Sequence, residues 1–374
     1  MTERARIGRA LVAAMREEGA EARASVGGVD PQRLATAARY HGAAGYLHAA
    51  LQDVSAETAA LDAVSGVYHL GIGISMRVLA DLANVAPILD AAGVEWMIVK
   101  GPVISERLYP EPGLRAFDDL DLVVQAGSFA RAIDALESAG VSILDQNWRL
   151  LRREMRGQLH LTLRHGTLLD LHWHLINRDR MQFAIRMEEI FERSRLVEVA
   201  GLSVRTPDVV DTLVHLCVHA SLSGANRLIW AKDVERAILA ERPAWDAFVV
   251  RARSWGAGHA SAAMLARAAR MFAAPVPAEV PKALGAPVRR FLDRAATRAL
   301  HAERSRGSRS SAAIAARLAA RAPAASTAVY LRRFASLVRR GSSHGADPVL
   351  MPRGDDEDRR AFLDGVARTH RGAL

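Results

Sequence analysis

Apolar positions recur at intervals of three and four over residues 6–20, 31–52 and 56–92, in stretches rich in Ala and Leu, and this spacing predicts helices. Asp30-Pro31 marks the start of the second stretch, with Asp as cap and Pro in the first turn. The pattern then shortens. Residues 94–100 (VEWMIVK) read as a strand, Gly101-Pro102 opens a helix ending at Pro110, and 119–124 (DLDLVV) reads as a second strand after the loop PEPGLRAF. A helix is expected over 128–139 with Ser128 as its cap. LHLTLR (159–164) and LLDLHWHL (168–175), joined by His165-Gly166, predict a hairpin, as does 196–206 around Gly201. Beyond Pro207 helical spacing returns over 208–222, 226–240, 244–254 and 258–273. These elements predict an α+β fold, a small mixed sheet flanked by a helical N-terminal segment and an α-helical C-terminal half. The implied divisions are a helical region at 1–92, an α/β core at 93–206, a helical domain at 207–300 and a basic, partly flexible helical tail at 301–374.

Composition narrows the classes. Of 374 residues, half are hydrophobic and 24% charged, which suits a globular protein rather than a fibrous or disordered one. No uninterrupted apolar run reaches the roughly 18 residues that span a bilayer, and the first 20 residues lack a secretory pattern, so no membrane is expected. The single cysteine, Cys217, lies in an apolar helical stretch; it excludes an internal disulfide and fits a reducing cytoplasm. The net charge of +9 is uneven. Residues 301–345 carry nine arginines against Glu303, +8 in all, which leaves the remainder near neutral. Such a tail can meet nucleic acid or an acidic partner, or be a solvated arginine-rich face.

The chemistry concentrates between Lys100 and Val124. On a strand, Asp119 and Asp121 project from one face about 7 Å apart, with Leu120 and Leu122 on the other. Two adjacent carboxylates repel unless a cation lies between them, and aspartate is a poor strand former. A divalent metal resolves both, and Mg²⁺, held by one or two carboxylates plus substrate phosphates, suits an all-oxygen pair. Gly101 lets the backbone approach a ligand, the following helix start offers free N–H groups to a phosphate, and Lys100 adds a point charge. Lys100 is one of only three lysines, with Lys232 and Lys282.

Strand, glycine turn, helix and a strand bearing D-h-D resemble the nucleotidyltransferase superfold shared by DNA polymerase beta and the aminoglycoside nucleotidyltransferases. The run VKGPVISERLYPEPGLRAFDDLDLVV is similar to the bacterial "uncharacterised nucleotidyltransferase" family, through Lys100, Gly101, Tyr109, Pro110, Arg115, Asp119 and Asp121. Asp170-Leu171-His172-Trp173 matches a later D-L-H-W run, and Trp230 with Asp233 a helical W-x-x-D pattern; together the resemblance covers roughly 90–240. The usual Gly-Ser turn of the superfold is replaced by Lys100-Gly101-Pro102. The resemblance implies a third carboxylate on a neighbouring strand, for which Asp170 is the candidate, and two Mg²⁺ ions held by Asp119, Asp121 and Asp170. It implies transfer of a nucleoside monophosphate from a nucleoside triphosphate to a small-molecule, peptide or RNA acceptor, with Asp170 as general base and Arg115 on a phosphate. The alternative is a non-catalytic nucleotide- or nucleic-acid-binding module of the same fold. Asp118 is expected as a helper at most, His160, His172 and His174 as interior histidines or substrate contacts, Trp148, Trp173 and Trp230 as core, and Asp233 as the partner of Arg236 or Arg227.

Overall fold

A computed structural model describes residues 1–52, 58–178, 183–285 and 348–370. The fold is mixed α+β, as the spacing predicts. Its first helices are α1 (Glu3–Met15), α2 (Gly19–Val26), α3 (Pro31–His41), α4 (Ala44–Gln52) and α5 (Thr58–Ala91). There follow β1 (Trp96–Ile98), α6 (Pro102–Leu108), β2 (Asp119–Val124), α7 (Phe129–Ser138), β3 (Ser142–Ile143) and α8 (Trp148–Glu154). Next are β4 (Gln158–Thr162), β5 (Leu168–His172), α9 (Met187–Glu192), β6 (Arg195–Val199) and β7 (Leu202–Thr206). The remaining helices are α10 (Val209–Leu222), α11 (Leu228–Glu241), α12 (Trp245–Ser254), α13 (Gly258–Phe272), α14 (Glu279–Ala283) and α15 (Asp356–His370). The arginine-rich segment 301–345 lies outside the described residues.

The chain divides into two compact units, with boundaries inside α5 at Ser75/Met76 and inside α6 at Val103/Ile104. The first holds the N-terminal helices, residues 104–117 and α10–α14. Two continuous stretches in the sequence reading are broken here. The helix expected over 6–20 stops at Met15, and Glu17 takes a left-handed backbone (φ 64°) before α2 begins. The helix expected over 31–52 ends at Gly42 (φ 67°), whose hydrogen in place of a side chain lets Ile229 sit where a Cβ would be only 2.8 Å away. Its start is as expected, with the Asp30 side chain accepting from Arg33 N at 2.8 Å and Pro31 first in the helix.

One exception to the expected absence of membrane-length segments is α5. Its residues 59–91 are, by length and composition alone, long and apolar enough to cross a membrane. Asp62, His69, Arg77, Asp81, Asn84 and Asp90, with glycine and serine, interrupt the aliphatic side chains, so no unbroken run betrays the average. Val64, Ser75, Val78, Leu82, Val85 and Leu89 form a buried stripe at helical spacing along it, the signature of a helix with one face in a core.

The second unit holds the end of α5, the strands, α7–α9 and α15. Its five-stranded sheet runs β1-β2-β5-β4-β3, and β6 and β7 form a separate hairpin. All pairings are antiparallel except β2 with β5, which run parallel with Asp121 opposite Asp170 and Leu122 opposite Leu171. Leu120, Leu122, Leu159, Leu161, Leu169 and Leu171 are fully buried, so one face of the central strands is core throughout. The alternation then places 119, 121, 158, 160, 170 and 172 on the opposite face. Between β2 and β4 the spacing predicts no element past residue 139, yet the short edge strand β3 and the helix α8 form there. Asn147 caps α8 by accepting from Leu150 N at 3.1 Å. Ser128, expected as a cap, makes no capping bond; a 3₁₀ turn over Ala126–Ser128 precedes α7, and the Ser128 hydroxyl accepts from Arg131 instead.

α15 docks beside α7 and α8. Phe362, fully buried, meets Phe129 edge-on at 6.3 Å and Trp148 at 6.2 Å. Arg359 pairs with Glu137 and covers the Trp148 ring. At the entry to β4, Gly157 N donates to Asn177 O at 3.0 Å, and its carbonyl accepts from Trp173 N and His174 N. A Cβ at 157 would fall 2.3 Å from Ile176 O. Gly157→Ala should therefore destabilise the chain by about 1–3 kcal/mol or more, the scale of overpacking against backbone. Urea unfolding checks this; an unchanged midpoint would show that the strand entry can yield.

Candidate active site

The parallel pairing of β2 with β5 decides where the acids meet. Residues opposite one another in a parallel pair lie on the same face, so Asp121 and Asp170 stand side by side. One ligand atom from each of Asp121, Asp170 and His172 lies within 4.8 Å of the others. Asp121 is 2% exposed and would be destabilised as an anion without partners. Lys100 Nζ lies 2.8 Å from its Oδ1, and His172 Nε2 is 3.1 Å from the same oxygen. Burial alone would raise the Asp121 pKa, but Lys100 and His172 outweigh it and hold this carboxyl well below the usual carboxylate range. Burial likewise disfavours the Lys100 cation, yet the charges of Asp121, Asp119 and Asp170 raise its pKa above the ordinary lysine value.

Asp170 has a different environment. Burial raises its pKa, and the Asp121 charge adds to the effect while His172 and His160 oppose it. Its Oδ2 accepts from Gln158 Nε2 at 3.0 Å, while its Oδ1 is buried with no hydrogen-bond partner among the described residues. His172 Nδ1 is similarly buried without one. Unpartnered buried acceptors are costly, and two of them on the same face beside a paired carboxylate fit a site built to receive a cation. Two carboxylates and an imidazole are a donor set suited to a divalent metal.

Asp119 shares the face but lies one step along β2, opposite Leu168, and is only half-buried. It makes no hydrogen bond or ion pair among the described residues. Burial first, and the Asp121 charge second, push its pKa up to about 7. The expected trio is therefore arranged as a close pair, Asp121 and Asp170, with Asp119 coupled to it electrostatically. His172, expected as an interior histidine or a substrate contact, is part of the close cluster. Asp118 is exposed. Gly101 takes a left-handed backbone (φ 55°), which a side chain would strain. His174 is buried and caps Ile176 N through Nδ1 at 3.0 Å. Trp173 is core, whereas Trp148 and Trp230 are half-buried. Cys217 is fully buried and burial pushes its thiol pKa up, so it is an inert core residue.

Arg115 and Asp233 belong to the first unit, and their pairing corrects the expected partners of Asp233. The Arg115 guanidinium grips Asp233 through Nε at 2.7 Å and Nη2 at 2.9 Å, and the Tyr109 hydroxyl donates to Oδ1 at 2.7 Å. Arg236 instead donates to Leu108 O at 2.9 Å and Arg227 to Tyr40 O at 2.7 Å. Arg115 and Asp233 thus tie the loop before β2 to α11. Asp145, to which no motif in the sequence points, is 1% exposed and binds His160 on β4. A lone aspartate in an irregular LDQN segment carries no periodic signal that could have singled it out.

The chain belongs to the uncharacterised nucleotidyltransferase family, whose sequence pattern matches residues 27–273. Neither the curated proteins nor the solved structures include a match. Membership in a nucleotidyltransferase family makes nucleotidyl transfer the general kind of reaction and implies a nucleoside triphosphate as substrate.

The electrostatics define a pH response in the metal-free chain. Asp119 titrates near 3.8 when unfolded and near 7 when folded, so the stability it allows is complete below about pH 4 and lost as pH rises through 7. Asp119→Asn should raise the melting temperature of the unit that holds the sheet, in EDTA-treated protein at pH 8, by several degrees, since about 1 kcal/mol corresponds to roughly 2–4 °C for a domain of about 150–250 residues, with no gain at pH 4. Equal shifts at both values would show that charge is not the cause. In the first unit, Arg115→Ala leaves Asp233 buried without its cation and should cost about 3–5 kcal/mol, read by urea unfolding. Unaltered stability there would mean that the pair does not secure the loop.

Proposed function

We propose that this protein transfers a nucleoside monophosphate from a nucleoside triphosphate to an acceptor hydroxyl. The acceptor oxygen forms a bond to the α-phosphorus, the α–β phosphoanhydride bond breaks, and pyrophosphate leaves. The observation that carries this reading is the pairing of Asp121 with Asp170 across parallel strands, with Lys100 on Asp121, in a chain of nucleotidyltransferase ancestry.

Asp121 and Asp170 would hold Mg²⁺, joined by Asp119 when a second ion binds, and the oxygen ligands are those this ion prefers. Bound there, Mg²⁺ supplies charge neutralisation for the phosphates and the departing pyrophosphate. His172 fixes the rotamer of Asp121 through its Nε2. Asp170 would act as the general base that receives the acceptor proton. Lys100 neutralises Asp121 in the absence of ligand; with a triphosphate bound, its ammonium is available to phosphate oxygens at the Gly101 turn. Arg115 enters this reading only as a residue already engaged by Asp233.

The class of acceptor stays as broad as the sequence reading has it: a small molecule, a peptide or protein side chain, or an RNA end. A cytoplasmic location belongs to the same proposal, supported by the buried, reduced Cys217 and by the need for nucleoside triphosphates. The competing idea of a non-catalytic binding module is disfavoured by the buried Oδ1 of Asp170, which accepts no hydrogen bond among the described residues and which a structural sheet would have no reason to keep.

The test is incubation of the chain with each α-labelled nucleoside triphosphate, Mg²⁺ and cell extract, following label into macromolecules and metabolites. Wild type should transfer label, EDTA should stop it, and Asp121→Asn or Asp170→Asn should lower the rate roughly 10²–10³-fold, the scale of losing one preorganised electrostatic group. Equal labelling by both variants would remove the catalytic assignment.

A further inference from the structure

Asp145, His160 and Gln158 surround Asp170 on the side away from Asp121. In the antiparallel pairing of β4 with β5, His160 is opposite Asp170 and Gln158 opposite His172. His160 is doubly tied to Asp145: its backbone N donates to Oδ2 at 3.0 Å, and its Nδ1 lies 3.0 and 2.9 Å from Oδ1 and Oδ2. A carboxylate accepting at Nδ1 keeps the ring proton there and presents Nε2 as an acceptor. Gln158 Nε2 is 3.1 Å from His160 Nε2 and 3.0 Å from Asp170 Oδ2, so its two amide hydrogens bridge the imidazole and the carboxylate. His160 Nε2 is 3.6 Å from Asp170 Oδ1, beyond hydrogen-bond length. One Asp170 oxygen is thereby tethered and the other left without a hydrogen bond, inside the cluster with Asp121 and His172.

We propose that Asp145, His160 and Gln158 form a positioning chain that fixes the rotamer of Asp170 and so selects Oδ1 as the oxygen that works in the site. The proposal rests on the nucleotidyltransferase reading above. None of the three residues touches the reacting groups; each acts through the next. Asp145 is 1% exposed and Gln158 9%, so the chain has little freedom to move, and the backbone bond from His160 to Asp145 anchors it to the sheet. A structural role alone would need Asp145 to satisfy His160. It would not need Gln158 to span both His160 and the third carboxylate of a cation site.

Mn²⁺ alone is the probe, its binding to the full chain followed by calorimetry and by the electron paramagnetic resonance spectrum of the bound ion. Asp145→Asn, which keeps the shape of the side chain, and His160→Ala should each weaken Mn²⁺ about 10–100-fold, the usual cost of losing a group that orients a metal ligand. Both should alter the bound-ion spectrum. Because the residues act in series, the double variant should bind no worse than the weaker single, whereas independent contributions would multiply. His160→Gln, which keeps a polar group facing Gln158, should recover part of the loss. Thermal unfolding of each variant shows whether it is folded. Wild-type affinity and spectrum in Asp145→Asn and His160→Ala would overturn the positioning role and leave the cation site intact. Losses that multiply in the double variant and track its melting temperature would also overturn it. Absence of Mn²⁺ binding by wild type itself would overturn both this proposal and the metal-dependent reading beneath it.

Discussion

A buried carboxylate, Asp121, and a part-buried one, Asp170, facing one another across a parallel strand pair are the constraint around which this sheet is arranged. Ionised oxygens beside each other in a poorly solvated place repel, and the fold answers with cations and donors from three directions. Lys100 comes from the end of β1, His172 from the same strand as Asp170, and Gln158 from β4. The answer is uneven. Asp121 receives two donors on one oxygen and is held ionised, while Asp119 and Asp170 are left with raised pKa values. A structural core would neutralise all three or dispense with them. One acid is satisfied and its neighbours are less so, an arrangement whose Asp121, Asp170 and His172 could hold a metal ion.

The surrounding architecture divides the sheet into an apolar face and a polar one. Leucines at alternating positions of β2, β4 and β5 seal one side of the sheet, and the same alternation sends every polar residue of the site to the other. Gly157 allows the start of β4 to approach Ile176 closely enough to set the register in which Gln158 meets His172 and His160 meets Asp170. In the helical unit, Arg115 and Tyr109 converge on Asp233, so conspicuous polar residues of the signature segment serve to hold a loop.

The α+β class, the strand at 119–124, both hairpins and the helices from 208 to 273 are legible because each obeys one period over its whole length. The breaks at Glu17 and Gly42 and the elements β3, α8 and α9 were not, because short or irregular segments carry too few residues for a period to show. The length and mean apolarity of α5 do not show as an unbroken apolar run, although its helical spacing is plain.

For the site, the sequence determined which acids share a face: 119 with 121, and 170 with 172, since side chains alternate along any strand. It also determined the lysine-glycine turn that ends β1. Which strands became neighbours, and in what direction and register, was decided only by tertiary structure. That choice depends on burying the leucine faces of distant segments together, a condition no local pattern encodes. The parallel register made Asp121 and Asp170 the close pair and left Asp119 aside. Packing alone brought Asp145 to His160 and Arg115 to Asp233, contacts between residues whose separation in sequence hides them from any local reading.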